Sequence, residues 1–195
     1  MSLRSSAIFL LLPAFASPIA QNGQRINRDS ALAADFQNRV NQYLKLHKKA
    51  QGNAPQPKQT SSPAAIIQFQ HHLADAIREL RPDARQGEIF TPPVAELFRK
   101  LVAGEMTGPD RAKIRKSFQH AEPIHGVRLE VNQAYPDNLP LQSMPPSLLL
   151  NLPKLPPEVE YRFVGRELVL RDIAANLVVD VIPDVSASTD VSKKP

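Results

Sequence analysis

The chain contains no cysteine. Disulfide bonds, thiolate catalysis, iron–sulfur clusters and cysteine-ligated zinc are therefore excluded. The same absence excludes a lipid-anchored lipoprotein, because such a protein needs an acceptor cysteine directly after its leader. A domain without disulfides has to be held together by its hydrophobic core.

Aromatic residues are also sparse, at 6% of the chain, and tryptophan is absent. Prolines are numerous by contrast: the 195 residues include 19, where average composition gives about 5%. The chain can therefore build a modest core, but much of it has to be extended or interrupted. The net charge of +5 is concentrated in residues 21–126, and we expect no binding to nucleic acid because no aromatic stacking set is interleaved with the basic residues.

Residues 1–20 have the three parts of a secretory signal peptide. Arg4 supplies a short positive region, Ala7–Phe15 form an apolar run, and Ala14–Ala16 give an A-x-A cleavage site, with Ala20 as a second endpoint. The run is too short to cross a bilayer, which takes about 20 apolar residues. We therefore expect a periplasmic or secreted protein whose mature chain has no transmembrane segment.

The region 29–122 is predicted to be helical, because apolar residues recur there at helical spacing between proline and glycine breaks. Asp29 or Ser30 is the expected N-cap of the first helix, Gly52 its terminator, and 52–62 a polar linker. Ser62–Pro63 and Thr91–Pro92 mark two further helix starts, since proline is tolerated at the first helical position. Four short helices are expected, over residues 30–50, 63–81, 92–104 and 109–122.

The pattern changes to strands in residues 126–185, so the predicted fold class is α+β: a bundle of about four helices followed by a small antiparallel meander. A first strand is expected over 127–131, where apolar and polar residues alternate. Residues 136–157 are rich in proline and leucine and are predicted to be extended, covering a surface through leucine side chains. The leucines of this segment are Leu148, Leu149, Leu150, Leu152 and Leu155. Residues 186–195 are predicted to be a disordered tail.

The meander itself is predicted over residues 158–182, with turns at Gly165–Arg166 and Asp172–Asn176. Gly165 is expected to adopt a positive φ in a tight turn. Alternation predicts one apolar face for burial against the helices, formed by Tyr161, Phe163, Leu168, Leu170, Val179 and Val181.

Two stretches of the meander, Tyr161–Asp172 (YRFVGRELVLRD) and Asn176–Ile182 (NLVVDVI), carry a resemblance. They resemble the C-terminal part of uncharacterised exported bacterial proteins, and they are similar to the small meander of the RcnB family of periplasmic nickel/cobalt-homeostasis proteins. The resemblance implies a periplasmic β-meander. It implies no activity, and no functional residue is carried over from it.

Histidines supply the candidate metal ligands. His120, Glu122 and His125 lie close together, and imidazole with carboxylate suits zinc, nickel or copper. Their spacing matches no established ligand pattern, however, and Pro123 interrupts the helix, so a polar helix-to-strand turn is the favoured interpretation. The adjacent His71 and His72 diverge by about 100° on a helix and cannot share one ion. His47 falls on the apolar stripe of the first helix and is interpreted as a packed or helix-end histidine, and we expect no metal or cofactor.

Two basic stretches, Lys45–Lys49 and Arg111–Lys116, have two interpretations. They can contact phosphate, anionic lipid or an acidic partner, or they can be solvated faces near helix C-termini, which is the favoured interpretation. No nucleophile-elbow, phosphate-loop, zinc-protease or dinucleotide motif occurs, so we predict no catalytic residues. The sequence therefore favours an exported noncatalytic interaction or structural module with a partner in the cell envelope. The alternatives are a metal- or anion-responsive envelope protein and, less favoured, an enzyme of unidentified type.

Export gives the first testable prediction. Fractionation with intact-mass analysis should find a protein that begins at Ser17 or Gln21 outside the cytoplasm. A full-length chain that begins at Met1 in the cytosol would contradict the export prediction and the localisation that depends on it.

Overall fold

Helices form the first part of the chain and a sheet forms its last part, which confirms the predicted α+β class. The structure is a computed structural model, and it describes residues 18–52, 62–107, 112, 129–136 and 146–185. Within this part the helices are α1 (Pro18–Gly52), α2 (Pro63–Leu80), α3 (Pro92–Thr107) and α4 (Pro146–Asn151). The strands are β1 (Val159–Val164), β2 (Glu167–Asp172) and β3 (Leu177–Ile182). None of the helices in the described ranges has the length and apolarity to cross a membrane.

Helix α1 ends at Gly52 as predicted but begins at Pro18 rather than near residue 30. Asp29 and Ser30 are good N-cap residues by type, yet a cap forms only where the preceding backbone leaves the helix. The polar residues before them are compatible with a helix, and proline is tolerated at its first position because no hydrogen bond is lost there. The predicted start was therefore wrong.

Helix α2 begins as predicted, with the Ser62 side chain accepting a hydrogen bond from Ala65 N at 3.3 Å. The fully buried residues of α2, which include Leu73 and Ile77, lie in its second half, and Phe69 packs against the core from the first half. Ile66 lies two turns before Leu73, at the spacing of the same helical face, but it is 49% exposed. Helical spacing identifies a face, but it does not show how much of that face meets a partner.

Helix α3 also begins at the predicted proline, but it continues past Gly104 to Thr107. Glycine lowers helix stability by about 1 kcal/mol without always ending a helix. The helix predicted over 109–122 lies outside the described residues, apart from residue 112.

The proline- and leucine-rich segment contains a helix where extended chain was predicted. Pro146 occupies the first position of α4, and no further proline follows until Pro153, which leaves room for a short helix. Leu148 and Leu152 are buried, while Leu150 is 85% exposed. Residues 137–145 lie outside the described residues, so the remainder of the predicted extended segment stays a prediction there.

The strand predicted over 127–131 is absent from its described residues, 129–131. Asn132 has φ 65°, a left-handed conformation that ends an extended run. Residues 132–135 nevertheless form hydrogen bonds with β3 and the residue before it. Asn132 N donates to Val178 O at 2.9 Å, and Tyr135 N donates to Asn176 O at 2.8 Å. A short alternation of apolar residues therefore predicted burial better than it predicted a strand.

The three strands form an antiparallel sheet in the order β1-β2-β3, as predicted. Val164 pairs with Glu167 across a two-residue turn, in which Gly165 has the expected positive φ of 58°. This turn geometry matches the right-handed twist of the paired strands and favours glycine, which has no Cβ to clash.

A β-bulge interrupts the pairing of β2 with β3. Leu170 pairs with Asp180 while Arg171 pairs with Val178, so Val179 is the extra residue. The alternation shifts there: Val179 packs with the helices, whereas Val181 joins the apolar cluster on the opposite face of the sheet. The predicted face is therefore correct at five positions and wrong at Val181.

A single large apolar core joins the helices to the sheet. Its centre is a group of aromatic rings from α1, the loop before α3, α3 and β1. The Phe98 ring lies 5.0 Å from Phe36, 5.1 Å from Phe90 and 5.8 Å from Tyr161, measured between ring centroids. Edge-to-face contacts of this kind add to the stabilisation from burial. The helices and the sheet should therefore unfold together.

Leu170→Ala tests this cooperativity. Leu170 is fully buried in the shared core, so its truncation should lower the free energy of unfolding by about 2–5 kcal/mol. Urea unfolding followed by far-ultraviolet circular dichroism should show the helical signal moving to the same lower midpoint. The exposed Leu150→Ala is the control and should change stability by no more than about 0.5 kcal/mol. Helices that kept the wild-type midpoint would show two separate units.

Candidate functional site

A buried polar cluster connects α1 to the end of β2. Tyr43 and His47 lie one turn apart on the inner face of α1, and both reach Asp172. Tyr43 Oη donates to Asp172 Oδ2 at 2.6 Å, His47 Nδ1 lies 2.5 Å from the same oxygen, and Ala175 N donates to Oδ1 at 2.9 Å. Because a carboxylate only accepts, the imidazole proton is assigned to Nδ1.

The cluster shifts the pKa values of its members. The hydrogen bond to Asp172 raises the pKa of His47 above its ordinary 6.5, although burial of the ring opposes this. The negative charges of Asp172 and Glu158 add to the increase. Burial raises the pKa of Tyr43 well above 10, and the charge of Asp172 raises it further. Tyr43 therefore stays a hydrogen-bond donor, while His47 gains a proton more readily than a free histidine.

A second buried carboxylate, Asp180, fixes the loop between α2 and α3. The bulge in β3 places its side chain on the helical side of the sheet. Asp180 Oδ2 accepts hydrogen bonds from Ile89 N and Phe90 N, both at 2.8 Å, and Oδ1 accepts one from Gly87 N at 2.9 Å. Burial raises the pKa of Asp180, and the backbone donors partly offset this increase. Its hydrogen bonds are all internal, so its role is to hold the loop.

An open cleft of about 970 Å³ lies beside His47. The outer side of α1 forms one wall, and the opposite wall comes from residues 157–158 and the turn at 173–174. His47 reaches the cleft from the core, with only 3% of its surface exposed. Polar side chains of α1 at helical spacing supply half of the lining residues: Asn38, Asn41, Gln42, Lys45, Lys48 and Gln51.

The charges in this cleft are mostly positive. Lys45 and Lys48 come from the first basic stretch of the sequence, and Glu158 is the one carboxylate among the described lining residues. Amide, amine and imidazole groups can donate hydrogen bonds to a polar ligand, and the lysines add attraction for negative charge. The lining thus has the chemistry of a binding surface.

The other candidate residues are placed as follows. His120, Glu122 and His125 lie outside the described residues, so the prediction about them stays untested. His71 and His72 are exposed on α2. Among the residues that the structure describes, no group of three or more histidines and carboxylates could hold a metal ion.

His47 is packed, as the sequence predicts, but its partner and the cleft were not foreseen. The available signal was a polar pair, Tyr43 and His47, at i and i+4 within an apolar stripe. Buried polar groups need hydrogen-bond partners, so the pair implied an unidentified acceptor. Sequence spacing could not identify Asp172, which is 125 residues away from His47.

The raised pKa of His47 predicts a pH dependence of stability. The folded chain binds this proton more tightly than the unfolded chain does, so the stabilisation is fully present below the unfolded pKa of about 6.5. It is lost as the pH rises through the folded-state pKa. Urea unfolding at several pH values should show wild type losing stability across this window, and His47→Gln should remove that loss.

His72→Gln is the matched control, because His72 is exposed on α2. Burial also raises the pKa values of Asp180 and Glu167, but both carboxyls remain in every variant. The difference between wild type and His47→Gln therefore isolates His47. Parallel pH profiles of stability for wild type and His47→Gln would contradict the assignment of this pH dependence to His47.

Comparisons with protein-family models, with curated proteins and with solved structures find no match for this chain. Its function therefore has to be argued from the residues of the chain itself.

Proposed function

We propose that this chain is an exported noncatalytic interaction protein, periplasmic or secreted, that binds its partner in the cleft beside His47. The observation that carries the proposal is the lining of that cleft. It presents two lysines and four amide side chains from one helix, and such side chains recognise partners through hydrogen bonds and charge.

The cleft wall is held in place before any partner binds. Asp172 fixes α1 through Tyr43 and His47, so the lining residues of the same helix keep their positions relative to the turn at 173–174. A preorganised surface loses less conformational entropy on binding than a flexible one. This fixed geometry supports recognition as the role of the cleft.

Export is supported by the sequence of residues 1–20, with its positive start, apolar run and small-residue cleavage site. The resemblance of residues 161–182 to the RcnB-type meander agrees with a periplasmic location. A partner in the cell envelope is the consistent expectation for such a protein.

A second candidate is an envelope protein that responds to an anion or a metal. Its anion form is favoured by the position of Lys45 and Lys48 in the cleft. Its metal form depends on His120, Glu122 and His125, which lie outside the described residues. The two candidates differ in the partner of the cleft, which is a macromolecule in the first and a small ion in the second.

Site-specific cross-linking tests the interaction proposal. A photoreactive amino acid replaces Asn41, an exposed residue of the cleft, in cells that export the protein. The control places the same group at Gln68, which is exposed on α2. We expect a discrete cross-linked partner in the envelope fraction from position 41 and none from position 68. Equal labelling from both positions, or none from position 41, would contradict the proposal.

A further inference from the structure

We propose that the cleft beside His47 binds an oxyanion, a phosphate- or carboxylate-type group, between Lys45 and Lys48. The proposal rests on the proposed binding role of the cleft and names the chemistry of what it takes. The amides around the lysines are placed to hold the neutral polar part of the same ligand.

The positive charges of the cleft come from one side of α1. Lys45 and Lys48 are three residues apart on α1, so their side chains emerge from the same side of the helix, and both line the cleft. Lys49 belongs to the same basic stretch and is exposed, but it is not part of the lining. The helix therefore directs two of its neighbouring lysines into one concave surface, where their attraction for an anion adds.

One carboxylate among the described lining residues opposes these lysines. Glu158 lines the facing wall, and two lysines outweigh it. Beneath the cleft, Asp172 carries a negative charge that protonated His47 neutralises at 2.5 Å. When His47 loses its positive charge, the negative charge of Asp172 is left uncompensated behind the cleft wall. Anion binding should therefore be stronger when His47 is protonated, since like charges repel.

The groups packed around His47 come from three parts of the fold. Tyr43 and the two lysines lie on α1, Asp172 ends β2, and Glu158 precedes β1. Arg81 lies over the Tyr43 ring, with its guanidinium carbon 5.3 Å from the ring centroid. Tyr43 stays protonated because its pKa is raised well above 10. His47 is thus the group of this set whose ordinary pKa lies near neutrality.

The size and the lining of the cleft also bear on the ligand class. The volume of about 970 Å³ lies within the range of ligand pockets and exceeds that of a bare ion. No aromatic ring of Phe, Tyr or Trp occurs among the described lining residues, so the cleft has no stacking platform for nucleic-acid bases. The ligand class that fits is therefore an anionic group carried by a larger polar partner.

Calorimetric titration of the purified chain with sodium sulfate at constant ionic strength tests the proposal. Sulfate keeps its double charge across the pH range used, so the probe itself does not titrate. We expect saturable binding with a Kd of about 1 mM, which each of Lys45→Gln and Lys48→Gln weakens about fivefold. Lys49→Gln is the matched control and should leave the Kd within about twofold. Urea midpoints of the three variants should agree with wild type, because these lysines lie outside the core.

Further titrations, at a higher pH and with two other anions, separate specific binding from general charge attraction. Sulfate should bind more weakly at a pH above the folded-state pKa of His47, and inorganic phosphate, which is partly a monoanion near neutral pH, should bind somewhat more weakly than sulfate. Acetate, a monoanion with a carboxylate, should bind more weakly than sulfate because attraction scales with charge. An equal loss of affinity in Lys49→Gln, or equal Kd values for acetate and sulfate, would overturn the proposal.

The absence of saturable binding of sulfate, phosphate and acetate would also overturn it, even where position 41 cross-links an envelope partner. In that case the interaction proposal would stand without the anion. The two experiments therefore fail independently, because the titration contains no macromolecular partner.

Discussion

The buried carboxylate of Asp172 is the interaction on which the arrangement of helix α1 and the sheet depends. It ends β2 and accepts hydrogen bonds from Tyr43, His47 and the backbone of Ala175. A buried charge is tolerated only when such partners replace water, and loss of one partner of a buried pair costs about 3–5 kcal/mol. Apolar burial supplies most of the stabilisation, but it is non-directional. The directional bonds to Asp172 select one rotation and one axial position of α1.

Asp180 acts in the same way at a second point between the sheet and the helical region. The bulge at Val179 shifts the alternation of β3, which brings this carboxylate to the helical face. There it holds the backbone of Gly87, Ile89 and Phe90, and Phe90 in turn packs into the aromatic centre of the core. Two carboxylates from one small sheet thus position a long helix and the loop between two others.

The cleft is a consequence of this arrangement. Its lining residues sit on the outer side of the helix whose inner side bonds to Asp172. His47 belongs to both sides, because it is bonded in the core and reaches the cleft wall. The charge of the cleft is therefore linked to the protonation of a core residue. The bonds to Asp172 also hold the helix that forms the cleft wall, so the core fixes the position of the lining residues.

The amino-acid sequence by itself determined the α+β class, the starts of α2 and α3 at their prolines, and the three strands with a glycine turn. These features depend on local chemistry: proline geometry, side-chain alternation and the conformational freedom of Gly165. Only the tertiary structure decided the start of α1, the helix at Pro146, the face of Val181 and the pairing of His47 with Asp172. Each of these depends on contacts between residues far apart in the chain or on a local choice between two allowed conformations, and residue spacing carries no information about either.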